Sequence, residues 1–174
     1  DLEVFPVGFL VGGKEIWLAW ESVESGDRFL QDEPGLLRAE SLAEISGMIM
    51  SAYERVSVEG ETFYDLDGCL IALREGSAQN AELVVEVWNI LSDLSSTILG
   101  ERRKFHPEHA DSYDAFFSQC EVAGFVGMAP EPISKGDITN AIAVLENGVT
   151  LVLGVAENAY PAPITRHGVN RQEH

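Results

Sequence analysis

Glu3-Val4-Phe5-Pro6-Val7-Gly8-Phe9-Leu10-Val11-Gly12-Gly13-Lys14-Glu15-Ile16-Trp17-Leu18-Ala19-Trp20 is the stretch that decides the fold. Two apolar runs, rich in β-branched and aromatic residues, flank a Gly-Gly dipeptide that accommodates the positive φ angles of a two-residue primed turn. The expectation is a β-hairpin, Glu3–Val11 against Lys14–Trp20. Alternation of Lys14, Ile16, Leu18 and Trp20 with Glu15, Trp17 and Ala19 is incomplete, so at least one strand should be covered on both faces.

Outward from the hairpin, Ser22 to Gly35 is polar and turn-rich and reads as a loop; it also carries the first acidic cluster, Glu24, Asp27, Asp32 and Glu33. Ser41 followed by Glu44 is a capping-box pattern, and Leu42, Ile45, Ile49, Tyr53 and Val56 continue it at helical spacing, which predicts a helix over 41–56. A short strand is expected at Thr62–Tyr64. Cys69–Arg74 fits either a strand or a short helix closed by Gly76. Ala81, Val84, Trp88, Leu91, Leu94 and Ile98 form one stripe of a central helix over Asn80–Leu99, closed by Gly100. Tyr113, Phe116, Phe117 and Cys120 predict a third helix behind Asp111, stopped at Gly124.

After a loop over Gly124–Ser134, Ile138, Ala141, Ile142 and Leu145 predict a fourth helix behind Asp137, ended by Asn147-Gly148. The β-branched run Val149–Val155 should then return to the sheet as a strand. The tail from Ala159 lacks periodicity and is expected to be mobile. Together these elements predict an α+β fold: one domain over residues 1–158, with a small, mostly antiparallel sheet built on the N-terminal hairpin and packed by about four helices.

Charge is the second strong signal. The chain of 174 residues carries 29 Asp and Glu against 11 Lys and Arg, a formal net charge of −18. Such a surface speeds encounter with a cationic partner and disfavours nucleic acid as a direct ligand, because phosphate affinity comes mainly from Lys and Arg. The basic cluster Arg102-Arg103-Lys104 reads as a helix-end dipole partner or a solvated turn. The apolar stretches are interrupted before the roughly 18 residues that a membrane-spanning helix needs, so none is expected. Cys69 and Cys120 are too few for a disulfide scaffold; buried free thiols and a reducing, cytoplasmic setting are expected, with a single bridge left open.

Motifs that would name a chemistry are sparse. His106-Pro107-Glu108-His109 places three potential metal donors in a loop, but no Cys or further His lies near in sequence, and surface histidines are the simpler reading. Neither a phosphate-binding loop nor a nucleophile elbow is identifiable, so neither a cofactor nor a resident metal is expected. Trp20, at a strand end beside Glu21 and Glu24, is either a core aromatic or an exposed anchor for a basic target.

Two resemblances follow from quoted residues. Thr62-Phe63-Tyr64-Asp65-Leu66-Asp67-Gly68-Cys69-Leu70-Ile71 resembles the first motif of the haloacid-dehalogenase-like phosphatases. That likeness implies Asp65 as nucleophile and Asp67 as general acid and base, with Mg²⁺ neutralising charge. Cys69 stands where the family has Thr, and the preceding Glu59-Gly60-Glu61-Thr62 is polar rather than an apolar strand. An Asp-Gly turn or helix start with exposed carboxylates is the simpler reading.

The segments Tyr64–Leu70 and Val87–Leu94, with the helix from Asp137 to Asn147-Gly148, resemble the layout of bacterial immunity proteins of polymorphic and contact-dependent toxin systems. That likeness implies a small cytoplasmic protein that masks a cognate, basic toxin domain, often a nuclease. The residues expected to meet such a partner are Trp20, Glu21, Glu24, Asp27, Asp32, Glu33, Asp65 and Asp67. The alternatives are an acidic regulatory or assembly domain with another protein partner and, third, a Mg²⁺-dependent phosphohydrolase.

Overall fold

The computed structural model describes residues 2–24, 26–32, 35–53, 56–58, 60–76, 81–101, 104–123 and 131–157. Strands β1 (Leu2–Val11) and β2 (Lys14–Glu21) form the predicted hairpin, with Val11 opposite Lys14 and Phe5 opposite Trp20. Gly12 and Gly13 turn the corner at φ 58° and 71°, angles that cost a residue with a Cβ dearly.

The outer edge of β2 pairs antiparallel with two short strands, β3 (Arg28–Phe29) and, further along the chain, Arg38–Ala39. Between them β4 (Gln31–Asp32) and β5 (Gly35–Leu36) make a separate two-stranded ribbon, and Arg38–Ala39 is β6. The region expected to be a loop is therefore strand-bearing. Phe29 and Leu30 explain it: they are 1% and 6% exposed and draw the chain onto the sheet between its polar turns. On the other side of β1 lie β7 (Val56–Val58) and β8 (Thr62–Asp65), both parallel to it. The sheet is thus mostly antiparallel, with a parallel edge.

Helices cover both faces. Helix α1 (Leu42–Ala52) starts at Ser41, whose side chain accepts the Glu44 N–H, and packs Ile45 and Ile49 against Val4, Trp17 and Ala19. It ends at Tyr53, before the predicted limit, and the chain reverts to strand at Val56. The opposite face, with Val7, Phe9, Val11, Ile16 and Leu18, carries α2 (Leu66–Arg74), α3 (Ala81–Leu99), α4 (Ala110–Ala123) and α5 (Lys135–Ala156). Ile16 to Ala19 of β2 are all buried, as expected of a strand between two helical layers. The ambiguous Cys69–Arg74 segment belongs to α2.

Helix α3 is the central element and buries a wide stripe, from Val84 to Leu94. It crosses the sheet: Thr97 Oγ1 accepts the Phe29 N–H of β3 at 3.0 Å, and Asp93 Oδ2 accepts the Trp20 indole N–H of β2 at 3.2 Å.

The expected strand at Val149–Val155 is instead the second half of α5, a continuous helix of 22 residues. Asn147-Gly148 is not a cap but the point where α5 crosses α3. A Cβ at Gly148 would lie 2.3 Å from Leu91 Cδ1, so a larger residue would have to displace that buried side chain. The true N-cap is Ser134, three residues before Asp137. Joined in this way, α5 is long and apolar enough, by length and composition, to cross a membrane (mean hydropathy 1.6), contrary to the expectation from sequence. Its buried residues, Ala141, Val144, Leu145, Gly148, Val152 and Val155, nevertheless form one stripe, and its exposed positions from Thr139 onward are Thr139, Glu146, Asn147 and Thr150. That is the pattern of an amphipathic core helix. The segment from Gly124 to Pro130 and the tail from Ala159 lie outside the described residues, as do Arg102 and Arg103.

Candidate acidic binding surface

The residues expected to meet a partner fall at the two ends of β2. At its C-terminal end Glu21 is 1% exposed and accepts a short hydrogen bond from Arg28 Nε. Its carboxylate is therefore committed inside the fold. Glu24 is exposed, Asp27 accepts the Ser22 hydroxyl at 2.7 Å, and Asp32 accepts the Gly35 N–H at 3.2 Å. Burial first, then the Glu21 charge, raises the pKa of Tyr53, with Arg28 lowering it and Asp32 raising it, so these groups share one neighbourhood. Trp20 is half-buried, edge-on to Phe5 at 5.5 Å and bonded to Asp93, which makes it part of the packing against α3. Glu33 lies outside the described residues.

Asp65 and Asp67 sit at the other end, beside the hairpin turn. Asp65 closes β8 and caps α2, its Oδ1 accepting the Gly68 N–H at 2.7 Å. Asp67, in the first turn of α2, reaches back to the hairpin: its two oxygens accept the Gly12 and Gly13 N–H groups at 2.9 and 3.0 Å. The spacing of the two carboxylates thus serves a helix cap and a turn staple. Glu15 and Glu21 lie six positions apart on β2, about 20 Å at strand rise, so the two acidic ends do not form one contiguous patch.

Beside the hairpin turn the fold also assembles a group that lies scattered in sequence. A cleft of about 660 Å³ is lined by Lys14, Glu15, Arg38, Glu40, Glu44 and Glu157, with Ile16, Ala39, Leu153 and Ala156 as its apolar floor. It lies where β2, β6, the start of α1 and the end of α5 converge. Arg38 is spent internally, since its Nη1 donates to the Val155 and Ala156 carbonyls at the C-terminus of α5. Glu15 accepts the Trp17 indole N–H at 3.0 Å, and Glu44 accepts the Glu40 N–H at 3.2 Å in the capping box. Each of these bonds engages one carboxylate oxygen of a residue that is itself exposed. Arg38 offsets the partial negative charge of that helix end, so the surplus is that of four carboxylates over Lys14 and Arg38. Such a cleft suits a guanidinium or ammonium group.

The described Lys and Arg are Lys14, Arg28, Arg38, Arg74, Lys104 and Lys135. Among the described residues, the Arg–carboxylate pairs are Arg28–Glu21 and Arg74–Glu146, the latter with both partners about half exposed. Among the described residues, carboxylates far outnumber the cationic side chains. No family model, curated protein or solved structure matches this chain.

Sequence reasoning found the capping box of Ser41 and Glu44 but not the meeting of Glu44 with Glu15, Glu40 and Glu157. No local pattern links positions 15, 40 and 157; the β2–β6 pairing and the end of α5 do. The cysteines carry no disulfide: both are free, and burial, with the Asp65 charge second, pushes the Cys69 thiol up to about 11.

A second concavity, about 330 Å³, lies between α3 and the start of α4, lined by Trp88, Asn89, Ser92, Lys104, Phe105, His106, Tyr113 and Asp114, among others. His106 Nδ1 lies 2.7 Å from Glu108 Oε1, and this bond is the main cause holding the Glu108 carboxyl below its ordinary pKa.

Proposed function

We propose that this chain is an acidic immunity protein that binds a cognate basic toxin domain in the cytoplasm and neutralises it by masking its functional surface. The observation that carries this reading is the convergence of Glu15, Glu40, Glu44 and Glu157 on one cleft whose Arg38 is already engaged with backbone carbonyls. A Lys or Arg that the toxin uses to hold phosphate would enter this cleft and lose access to its own substrate. The net charge of −18 steers the encounter, while desolvated pairs inside the cleft supply the lasting affinity. Exposed pairs elsewhere add little. Glu24 and Asp32, at the far end of β2, would form a second point of contact on a toxin broad enough to span both ends.

The phosphohydrolase reading receives less support, because Asp65 and Asp67 are already engaged by the backbone amides of Gly68, Gly12 and Gly13. An acidic assembly domain with a different partner has the same electrostatics and is separated by the identity of what binds. The test is binding to the product of the neighbouring gene at low and moderate salt, with the toxic activity of that product measured in parallel. Immunity requires tight, partly salt-sensitive binding and loss of the activity, with Glu40→Lys/Glu157→Lys weakening binding at least about tenfold while Glu121→Lys on α4 does not. Binding without inhibition would replace immunity by an assembly role. An unaffected Glu40→Lys/Glu157→Lys variant would move the interface away from the cleft.

A further inference from the structure

The His106–His109 segment is independent of the acidic cleft and has its own construction. Among the described residues, His106, Glu108 and His109 form a group whose potential donor atoms all lie within 4.8 Å of one another. Pro107–His109 is a single 3₁₀ turn behind the His106 cap, and the His109 N–H donates to the His106 carbonyl at 3.0 Å, which brings the two residues together. Their rings are accordingly stacked, 6.1 Å between centroids and 27° between planes. His106 is also the non-glycine residue with a left-handed backbone among those described, at φ 54°, a conformation the surroundings must hold in place.

The holding groups are visible. Phe105, immediately before, accepts the Trp88 indole N–H on its carbonyl at 3.0 Å and donates its N–H to Ser92 Oγ at 3.4 Å, both on α3. Its ring meets that of His106 edge-on at 4.4 Å. The donor set is therefore anchored to the central helix by its backbone, not carried on a loose loop.

We propose that this turn is a divalent transition-metal site in which His106, Glu108 and His109 each donate one atom to an ion of the zinc class. Two imidazoles and one carboxylate are a nitrogen-and-oxygen set suited to Zn²⁺ and poorly suited to Mg²⁺ or Ca²⁺, which prefer all-oxygen shells. Three protein donors leave the remaining coordination to water or to a ligand. His106 also lines the 330 Å³ cavity with Asn89, Lys104, Tyr113 and Asp114, so a small ligand seated there would lie beside the metal. Binding requires the three donors to close by no more than side-chain rotation, replacing the present His106–Glu108 hydrogen bond.

The experiment is calorimetric titration of the chelator-treated full chain with ZnCl₂ in excess Mg²⁺, which occupies simple carboxylate sites. Co²⁺ absorption reports the coordination, and circular dichroism verifies folding of each variant. The site predicts one equivalent of Zn²⁺ per chain and a melting temperature that rises with Zn²⁺. His106→Gln and His109→Gln should each weaken binding by at least about tenfold, with a smaller loss in Glu108→Gln. The only other histidines in the sequence are His167 and His174, and His167→Gln/His174→Gln should bind as the parent does. Binding that survives in His106→Gln/His109→Gln, that vanishes in the His167→Gln/His174→Gln variant, or that never saturates would overturn the assignment. None of these outcomes bears on the acidic cleft, which contains none of these residues.

Discussion

Asp67 shows how a residue with an obvious catalytic reading takes a structural role. Its two oxygens meet two backbone amides of a turn that lies 55 and 54 residues earlier in sequence, tying the hairpin tip to the start of α2. Charge-assisted bonds of this kind typically contribute 1.5–3 kcal/mol each when shielded, and less at an exposed site such as this. Asp67→Ala is expected to cost about 1–2 kcal/mol in urea unfolding. It should also accelerate hydrogen exchange at the Gly12 and Gly13 amides while leaving the Gly68 amide, bonded to Asp65, unchanged. Nothing in Asp-Leu-Asp-Gly announces this: the sequence shows two carboxylates of suitable spacing, and only the position of the turn says what they hold. Glu21 teaches the same lesson. It resembles Glu24 in sequence, yet its strand position points it inward to Arg28 while Glu24 faces water.

Among the elements, α5 separates local pattern from packing most clearly. Asn147-Gly148 followed by a β-branched run has the local signature of a helix stop and a strand. The crossing with α3 overrides it, because a side chain at position 148 would occupy the place of Leu91, which is fully buried. Gly148→Ala should gain about 1 kcal/mol of helix propensity and lose more through overpacking, typically 1–3 kcal/mol, for a net loss in denaturant unfolding. In Leu91→Ala/Gly148→Ala the two losses should sum to less than the separate effects, since the first substitution makes room for the second.

The start of α5 carries a pH signature. Asp137 accepts the Ser134 hydroxyl at 2.6 Å and the buried Ser112 hydroxyl of α4 at 2.8 Å, and these bonds hold its pKa below the ordinary 3.8. A carboxylate lowered in the folded state stabilises the protein above its unfolded pKa and loses that contribution as the pH falls through the folded value. Stability followed from pH 6 downward should therefore decline below about pH 4, and Asp137→Asn should flatten that decline.

At the scale of the whole molecule, the surplus of carboxylates sets the behaviour. With a net charge of −18, self-repulsion opposes the compact state, and raising salt from about 10 to 150 mM shortens the screening length from about 30 to 8 Å. The melting temperature should rise over that range, opposite to the effect of salt on binding a basic partner. Charge was legible in the sequence because it is a sum over residues and needs no coordinates. So were the hairpin and the capping box at Ser41, because a two-residue turn and a first helical turn are closed by neighbours in the chain. The tertiary structure alone decided the parallel pairing of β7 and β8 with β1, the continuity of α5 through Gly148, and the meeting of Glu15, Glu40, Glu44 and Glu157. Each of these depends on contacts between residues far apart in the chain, and a periodic pattern read over a few turns carries no information about what will be packed against it.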